Sequence, residues 1–391
     1  MLTFENKRFI EENQDRDVEK IAFKSFPAGV DSSFVLNQIK GRQILKNKIP
    51  SWYRNQEVIC PPPLSLEQAS SEATARYKAK LIKADSLVDL TGGFGIDCAF
   101  LAPNFQQVTY VEQQAELCRI ATHNFQALGL SAIQIVNADS VSFLQKMPSV
   151  DVIYMDPARR DKQGRKVSLL EDCSPHILEI SGLLLQKSNR LLIKLSPMFD
   201  VEAALVALPN TAEVHIVAID NDCKEVLLLL QKETPLAVKM YCVNLQPNKN
   251  DQFFVFDRKE EYSAHSTIAK KPLRYLYEPN VAVLKSSAFK LISEKYHVDK
   301  LQVNSHLYTS ENLVYDFPGR SFEVETVFSL NKQEMKSNLQ GIEKANIAVR
   351  NFPATVAELR KKTKLKEGGD VYLFATTLSE QKKVMIRCKK V

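Results

Sequence analysis

The sequence is poor in the residues that build disulfide frameworks and metal centres. Its seven cysteines are an odd number and contain no Cys-x-x-Cys pair, so neither a disulfide framework nor a zinc ribbon is indicated. The six histidines show no metal-ligand spacing, and we predict no metal site. Scattered cysteines of this kind are typical of a reducing compartment, and we therefore expect a cytoplasmic protein.

Long hydrophobic runs are also missing. The longest ones, such as residues 226–230, have the length of a buried strand and fall far short of a membrane span. The first residues, MLTFENK, lack the basic and then apolar pattern of a signal peptide. We therefore expect no membrane partner. The composition, 45% hydrophobic and 25% charged, is that of a soluble globular protein, and 391 residues predict two or three domains.

Positive charge is concentrated at one end of the chain. The formal net charge is +6, and residues 320–391 hold 15 Lys or Arg against 8 Asp or Glu, whereas the rest is close to neutral. The densest basic run in this part consists of Lys361, Lys362, Lys364 and Lys366. A basic module favours an anionic partner, most often nucleic acid. A solvated, lysine-rich surface explains the same numbers, so charge alone leaves both interpretations open.

A glycine-rich turn near residue 90 gives the first indication of a fold. In the stretch SLVDLTGGFGID, an apolar run ends at Asp89, three glycines follow, and a second apolar segment begins at Ile96. This order predicts a buried strand, a tight turn and a helix, which is how a doubly wound α/β sheet begins. A dinucleotide site would need a third glycine where Cys98 stands. The pattern Asp-x-x-x-Gly-x-Gly instead resembles the first motif of class I S-adenosylmethionine-dependent methyltransferases, although a turn without a ligand also fits.

Strands and helices alternate regularly after this turn. Apolar runs that predict strands lie at residues 107–112, 133–139, 150–156 and 190–196. Two further runs, at 213–218 and 225–230, are too close for a crossover helix and predict a hairpin. An antiparallel final strand beside a parallel sheet gives the Rossmann-like, seven-stranded doubly wound sheet of class I methyltransferases.

The residues on either side of this α/β segment follow other patterns. Before it the chain is mainly helical, and Ser65 with Gln68 predicts a capping box for one helix that continues to Ile82. After it, alternating strands predict an α+β region, with a helix at residues 281–296.

Four acidic residues fall at the ends of predicted strands: Asp89, Glu112, Asp139 and Asp156. The strand ends of a doubly wound sheet face one crevice, so these carboxylates should converge there. After the second strand, Glu112 is suited to accept from ribose hydroxyls, and Asp139 can accept from an adenine amino group. Asp89 would orient the glycine turn or meet the methionine amine. The turn supplies the other expected cofactor contacts, Thr91, Gly93, Phe94 and Gly95, with backbone amides facing the methionine part.

The residues after the fourth predicted strand indicate where methyl transfer takes place. Residues 156–160, DPARR, resemble the Asp-Pro-Pro-Tyr and Asp-Pro-Pro-Arg motifs of nucleic-acid methyltransferases. In the amine-modifying families the Asp side chain and the first Pro carbonyl accept hydrogen bonds from the target nitrogen, which implies catalytic roles for Asp156 and Pro157. Arg159 is the third catalytic candidate, as a phosphate ligand or as a structural ion pair. Neither Ala158 nor Arg159 offers the ring of the aromatic version of the motif.

A cysteine-dependent attack on C5 of a pyrimidine fits this sequence poorly. That mechanism needs a nucleophilic cysteine beside the pocket, and none lies within the Asp156 motif. Cys173 is near in sequence, and we expect it to be a buried bystander.

A closer resemblance covers most of the chain. Its motifs lie at residues 66–79, 155–160, 194–200, 351–360 and 365–375. They are similar to a bacterial family of methyltransferases whose members end in a ferredoxin-like and a THUMP-like domain. The resemblance implies four parts: a helical region at 1–84, an S-adenosylmethionine-dependent methyltransferase domain at 85–234, a linking and ferredoxin-like α+β domain at 235–319, and a basic THUMP-like domain at 320–391.

Motifs, charge and resemblance together predict an enzyme. We expect it to use S-adenosyl-L-methionine and to methylate a nucleotide of structured RNA, either rRNA or tRNA. The THUMP-like domain implies an RNA partner. Two alternatives stay open at this point: a methyltransferase that acts on a protein or small molecule, and a catalytically silent RNA-binding protein with a methyltransferase fold.

Overall fold

A computed structural model describes residues 2–23, 25–158 and 170–391. The chain divides into two compact units. One comprises Met1–Glu213 with Lys224–Leu236, and the other comprises Val214–Cys223 with Ala237–Val391. Within the described ranges, no helix is both long and apolar enough to cross a bilayer.

Helices form the first part of the chain, as predicted. They are α1 (Phe4–Asn13), α2 (Val18–Ala22), α3 (Ser32–Lys48), α4 (Pro50–Tyr53), α5 (Pro63–Gln68) and α6 (Glu72–Leu81). Polar side chains cap several of them, because Thr3, Asp31 and Ser71 each accept a backbone N–H in the first turn. A small apolar core around Ile10, Ile21 and Val35 holds the first three helices together.

The predicted single helix from Ser65 to Ile82 is wrong. Two helices replace it, and α6 takes its N-cap from Ser71. In the break between them, Ser70 is buried and its hydroxyl donates to Asp97 at 2.7 Å. The break thus places a polar side chain against a distant residue, and local helix propensity does not contain that information.

The α/β segment supplies the larger sheet. Its elements are β1 (Ser86–Asp89), α7 (Ile96–Leu101), β2 (Gln107–Glu112), α8 (Ala115–Ala127), β3 (Gln134–Asn137), α9 (Ser140–Lys146), β4 (Val150–Met155), α10 (Ile177–Lys187), β5 (Ser188–Leu195), α11 (Val201–Ala207), β6 (Thr211–Ile219) and β7 (Asp222–Gln231). The hairpin β8 (Lys239–Leu245) and β9 (Gln252–Asp257) follows, and then α12 (Arg258–Ser263).

The strand order confirms the predicted doubly wound sheet. Among the described residues it is β3-β2-β1-β4-β5-β7-β6-β8-β9, so two strands beyond the predicted seven join the sheet. Strand β1 pairs in parallel with β2 and β4, and β5 pairs in parallel with β4. Strand β7 runs antiparallel to β5, as the short predicted hairpin requires. The carboxyl ends of β1 to β4 therefore share one edge of the sheet.

The end of the chain forms a second sheet. Its elements are β10 (Tyr275–Pro279), α13 (Val281–Lys285), α14 (Leu291–Tyr296), β11 (Asp299–Lys300), β12 (Tyr308–Ser310), β13 (Gly319–Phe328), α15 (Lys332–Asn338), β14 (Asn346–Arg350), α16 (Val356–Thr363), β15 (Val371–Thr377) and β16 (Lys383–Lys390). The strand order is β11-β12-β10-β13-β16-β15-β14. The single helix predicted at 281–296 is wrong, since α13 and α14 are separate helices and Ser287 between them has a positive φ.

Candidate functional site

The four predicted acids lie together at the carboxyl edge of the parallel strands. Asp89 ends β1 and Glu112 ends β2, while Asp139 and Asp156 come just after β3 and β4. Burial raises the pKa of Asp89 well above its usual value, and the negative charges of Asp97, Asp156 and Glu112 raise it further. Asp89, Glu112 and Asp156 therefore converge as expected, and Asp139 follows the neighbouring strand at the same edge.

Two glycines of the turn are required by their neighbours. A Cβ on Gly92 would lie 2.1 Å from the ring of Tyr110, and one on Gly95 would lie 2.8 Å from the ring of Phe125. Gly95 also has a φ of +85°, which L side chains rarely adopt. The hydroxyl of Tyr110 donates to the carbonyl of Gly93 at 2.5 Å, so the turn rests on the aromatic side chain beneath it.

Gly93 differs from these two glycines because the space beside it is open. Its φ is +54°, and the nearest heavy atom to a Cβ built there is the Thr91 carbonyl oxygen, 3.8 Å away. No neighbouring atom excludes a side chain at this position; the positive φ favours glycine, and the open space leaves the backbone accessible to a ligand. The turn thus fits a small cofactor that lies against the Gly93 backbone.

Glu112 fixes the turn from the neighbouring strand. One carboxylate oxygen accepts the N–H of Gly93 at 2.9 Å, and the other accepts the N–H of Gln114 at 2.8 Å. Each oxygen keeps a second lone pair, so the carboxylate can still accept from hydroxyl groups of a ligand. Glu112 is therefore placed to bind a ligand and to shape the turn at the same time.

Asp89 and Thr91 connect the turn to the end of β4. Asp89 is 1% exposed and accepts the N–H of Thr91 at 3.0 Å. The hydroxyl oxygen of Thr91 accepts the N–H of Asp156 at 2.6 Å. The Asp89 carboxylate is thus bonded to the glycine turn, which is consistent with the first of its two expected roles.

Phe94 and Asp139 occupy different surroundings. The Phe94 side chain is buried and packs edge-on against Trp52, with ring centroids 5.2 Å apart. Asp139 is exposed and is the N-cap of α9, where it accepts the N–H of Ser142 at 2.9 Å. The Phe94 side chain thus belongs to the apolar core, whereas the Asp139 carboxylate lies at the surface.

The catalytic candidates follow β4. Pro157 is buried, and Ala158 pairs with Ser174 through hydrogen bonds of 2.8 and 3.0 Å. The Asp156 side chain is 33% exposed. Arg159 lies outside the described residues, as does the loop to residue 169. The expectation that Cys173 is buried is confirmed, since it is 5% exposed.

Sequence reasoning missed a buried ionic network under the edge. The ammonium of Lys194 forms an ion pair with Asp156 and lies 3.8 Å from Asp97. A second ammonium, that of Lys78, contacts Asp97 at 3.2 Å and both oxygens of Glu225 at 2.7 Å. We call these five side chains the charge network: Lys78, Asp97, Asp156, Lys194 and Glu225.

Opposing effects set the charges in this network. Burial favours the neutral form of Asp97, but Lys78 and Lys194 outweigh it and lower the pKa of Asp97 below its usual value. Burial dominates at Glu225, whose pKa is raised despite the two ammonium groups. Burial also disfavours the charged form of Lys194, yet Asp156, Asp97 and Glu225 raise the pKa of Lys194 above its usual value. Lys194 therefore stays an ammonium ion throughout the physiological range.

One sequence signal could have indicated this network. Lys194 interrupts the apolar run of β5, RLLIKLS, and Lys78 lies in the motif at 66–79. A lysine inside a buried strand implies a buried carboxylate partner. Which carboxylate it meets depends on the pairing of strands, and that is a property of the fold.

The basic residues near the end of the chain divide into two groups. Arg350 and Arg320 both pair with the buried carboxylate of Glu278, so these two arginines are structural. Lys361 and Lys362, in contrast, are exposed in the last turn of α16. A cavity of about 320 Å³ beside this helix is lined by Phe352, Leu359, Lys362, Lys383 and three others. Among the described residues, no cluster of His, Cys, Asp and Glu could hold a metal ion.

Comparisons with known proteins agree with this architecture. A family model described as "THUMP domain-like" matches residues 319–390, and one described as "ferredoxin-like domain" matches residues 275–318. The ribosomal RNA small subunit methyltransferase J of Psychrobacter cryohalolentis is 35% identical over 149 residues, which cover 31% of this chain and 50% of that protein. The 23S rRNA (uracil(747)-C(5))-methyltransferase RlmC of Yersinia enterocolitica is 26% identical over 185 residues, 45% of this chain and 47% of that protein.

The chain spans about half the length of these curated relatives. A solved structure covers far more of it. A protein of Porphyromonas gingivalis W83, described as a "putative methyltransferase", is 32% identical with a TM-score of 0.88, over 99% of this chain and 97% of that one. The chain therefore belongs to the same family, that of class I S-adenosylmethionine-dependent methyltransferases with ferredoxin-like and THUMP-like domains at the end of the chain.

Proposed function

We propose that this protein transfers a methyl group from S-adenosyl-L-methionine to a nitrogen of a nucleotide in structured RNA, with ribosomal RNA as the first candidate. One observation carries the proposal. The glycine turn has open space beside Gly93, and the Thr91 hydroxyl of the same turn accepts the backbone N–H of Asp156. The proposed cofactor site is thus directly bonded to the residue that would accept hydrogen bonds from the substrate.

The cofactor would lie along the strand ends. Glu112 would accept from the ribose hydroxyls, and Asp139 from the adenine amino group. The backbone at Gly93 and Gly95 would face the methionine part, and Thr91, Asp89 and Phe94 would hold the turn in shape. The hydrogen bond from Gly93 to Glu112 and the open space at Gly93 support the assignments of Glu112 and of the turn.

The residues after β4 would align the methyl acceptor. The bound cofactor supplies a methyl group activated by a sulfonium. Asp156 and the Pro157 carbonyl would accept hydrogen bonds from the target N–H and turn the nitrogen lone pair toward the methyl carbon. Formation of the C–N bond would break the C–S bond and leave its electron pair on sulfur, and the nitrogen would then lose its proton to water. Such catalysis is mainly positioning.

A nitrogen is favoured over C5 of a pyrimidine. Attack at C5 requires a cysteine thiolate, and burial raises the pKa of both Cys98 and Cys118, the cysteines of α7 and α8. Asp156 and the carbonyl of Pro157 are instead hydrogen-bond acceptors, which suit an amine. This assignment departs from the uracil C5 specificity in the name of the RlmC relative.

Ribosomal RNA is favoured over other substrates by two independent features. The names of both curated relatives specify rRNA. The THUMP-like region carries the basic run at residues 361–366, which we call the lysine cluster, and the cavity that Lys362 and Lys383 line. Phosphate groups of RNA would neutralise these lysines. We also propose that the boundaries between the four parts of the chain lie at residues 84, 234 and 319, and that the protein is cytoplasmic.

Nucleoside analysis tests the proposal in cells. Ribosomal and transfer RNA from a strain without the gene would be digested and compared with RNA of the parent strain by mass spectrometry. We expect one methylated nucleoside to disappear from rRNA and to return with the wild-type gene but not with Asp156→Ala. An unchanged nucleoside profile in both RNA classes would contradict an RNA substrate.

A further inference from the structure

We propose that Lys194 is a positioning residue of the methyl-transfer site, which holds the Asp156 carboxylate so that one of its oxygens is presented to the methyl-accepting nitrogen. The inference rests on the proposed function, because Asp156 must be the group that meets the acceptor. It assigns a catalytic task to a residue of β5 that lies outside both the glycine turn and the Asp-Pro motif.

Strand pairing brings the two residues together. In the parallel pair of β4 and β5, Met155 lies opposite Ile193. The next residues along each strand are Asp156 and Lys194, and they come side by side at the carboxyl edge. The ion pair joins the Lys194 ammonium to Oδ2 of Asp156. The pairing of β4 with β5 thus brings the two side chains together.

Burial is unequal within the pair. The Lys194 side chain is 12% exposed, whereas that of Asp156 is 33% exposed. The lysine therefore approaches the carboxylate from the protein interior and leaves its outer side accessible. The described residues provide no hydrogen-bond partner for Oδ1 of Asp156. Lys194 anchors one oxygen, and none of the described residues binds the other.

The rest of the charge network keeps Lys194 in place. Its ammonium also donates to the hydroxyl of Ser70 at 3.3 Å. Asp97, the second carboxylate near Lys194, accepts from the hydroxyl of Tyr154 at 2.6 Å and from that of Ser70 at 2.7 Å. Lys78 neutralises Asp97 from the opposite side. Lys194 thus has a fixed position before any ligand arrives, which is the arrangement that positioning requires.

The chemistry of the pair suits an amine substrate. A carboxylate paired with an ammonium ion accepts hydrogen bonds and does not donate them. Its other oxygen would accept a hydrogen bond from one N–H of an amino group, and the Pro157 carbonyl from the second N–H, without removing a proton before the methyl group moves. Without Lys194, Asp156 would lose its anchor and could turn away from the acceptor. The rate of methyl transfer should therefore fall much more than the affinity for the cofactor.

A double-mutant cycle tests the proposal. The purified protein would transfer tritiated methyl groups from S-adenosylmethionine to rRNA of the deletion strain under single-turnover conditions. The variants are Lys194→Met, Asp156→Asn and the double mutant. We expect Lys194→Met to slow transfer roughly 10²-fold while S-adenosylmethionine affinity stays within about threefold of the wild type. The double mutant should be no slower than the slower single mutant.

A merely structural role gives different results. In that case the two substitutions would multiply in the double mutant, or cofactor affinity would fall together with the rate, and either outcome overturns the proposal. Lys46→Met in α3 is the matched control, since it removes a lysine–aspartate ion pair, that with the exposed Asp15, from the same compact unit without touching the charge network. Its rate should stay within about threefold of the wild type. A loss as large as that of Lys194→Met would also contradict a specific role for Lys194.

Two further measurements keep the test decisive. If Lys194→Met does not fold, Lys194→Arg keeps the charge and should retain a rate within roughly tenfold of the wild type, and an inactive but folded arginine variant with intact cofactor affinity overturns the proposal. If the wild type labels no rRNA, the proposed function has failed. Crystal structures of the wild type and of a folded variant with an uncharged residue at position 194 then decide. An Asp156 carboxylate that keeps its position without the ammonium would refute the anchoring role.

Discussion

Charged side chains have opposite surroundings in the two parts of this molecule. At the carboxyl edge of the larger sheet, ion pairs join the five side chains of the charge network, of which three are buried and two, Lys194 and Asp156, are partly buried. In the THUMP-like region, Lys361 and Lys362 extend into solvent, and no described carboxylate pairs with either. The first set is fixed by its partners, and the second is free to meet a partner from outside.

This difference has physical consequences. A buried ion pair is costly to create and still more costly to break, because the remaining charge has neither water nor a partner. An exposed lysine costs little to remove and interacts with a polyanion mainly through the release of counterions. We therefore expect substitutions in the charge network to change stability and catalysis, and those in the lysine cluster to change the salt dependence of RNA binding.

The largest effect is expected from Lys78→Met. This change leaves Asp97 and Glu225 buried opposite an uncharged side chain, so the free energy of unfolding should fall by about 3–5 kcal/mol. Urea denaturation followed by fluorescence of Trp52, the single tryptophan of the chain, would report on the same compact unit. The control is Lys46→Met, whose partner Asp15 is exposed, and it should cost less than about 1 kcal/mol. Equal costs for the two lysines would remove the distinction between buried and exposed charge.

The second largest effect is expected at Gly93. It tests whether this glycine is needed for ligand binding or only for its backbone conformation. Gly93→Val should weaken S-adenosylmethionine binding at least tenfold, or about 1.4 kcal/mol, because the side chain enters the open space beside the turn. Gly129→Val is the matched control, since Gly129 has a φ of +74° and nothing within 4 Å of an added Cβ. Isothermal titration calorimetry should show normal cofactor affinity for the control. A similar loss in both variants would mean that backbone strain, and not a ligand, explains Gly93.

The sequence was sufficient to predict the sheet and the acids along its edge. Alternation of apolar runs, the short β6–β7 hairpin and the glycine turn are local signals, and each was confirmed. The prediction of one helix from Ser65 to Ile82 was wrong because the break at Ser70 follows from a distant contact with Asp97. Local propensity does not report such a contact.

The charge network could not be derived from the sequence for the same reason. Its members come from α6, α7, β5 and β7 and from the end of β4, and their residue numbers span 78 to 225. Lys194 in an apolar strand indicates that a buried partner exists, but only the pairing of β4 with β5 identifies Asp156. The roles of all the cofactor-binding and catalytic candidates, Asp156 included, stay predictions.

The smallest effect on the folded protein is expected from the lysine cluster. Changing Lys361, Lys362 and Lys364 together to Ala should flatten the plot of log affinity for RNA against log salt by about 0.7–0.9 for each phosphate that the protein no longer neutralises. Lys364 has a φ of +60°, so Lys361→Ala with Lys362→Ala is the variant that avoids backbone strain. Filter binding at several salt concentrations measures the slope. Cofactor affinity should stay unchanged, and identical slopes for variant and wild type would exclude these lysines as phosphate ligands.

Methyl transfer in a purified system tests the central claim most directly. The protein would be incubated with tritiated S-adenosylmethionine and with rRNA from the parent strain or from the strain without the gene. The account predicts that label enters only the rRNA of the deletion strain, because the parent RNA is already methylated, and that Asp156→Ala reduces the rate roughly 10²-fold or more. Absence of label in both RNAs, or an Asp156→Ala variant as active as the wild type, would contradict it.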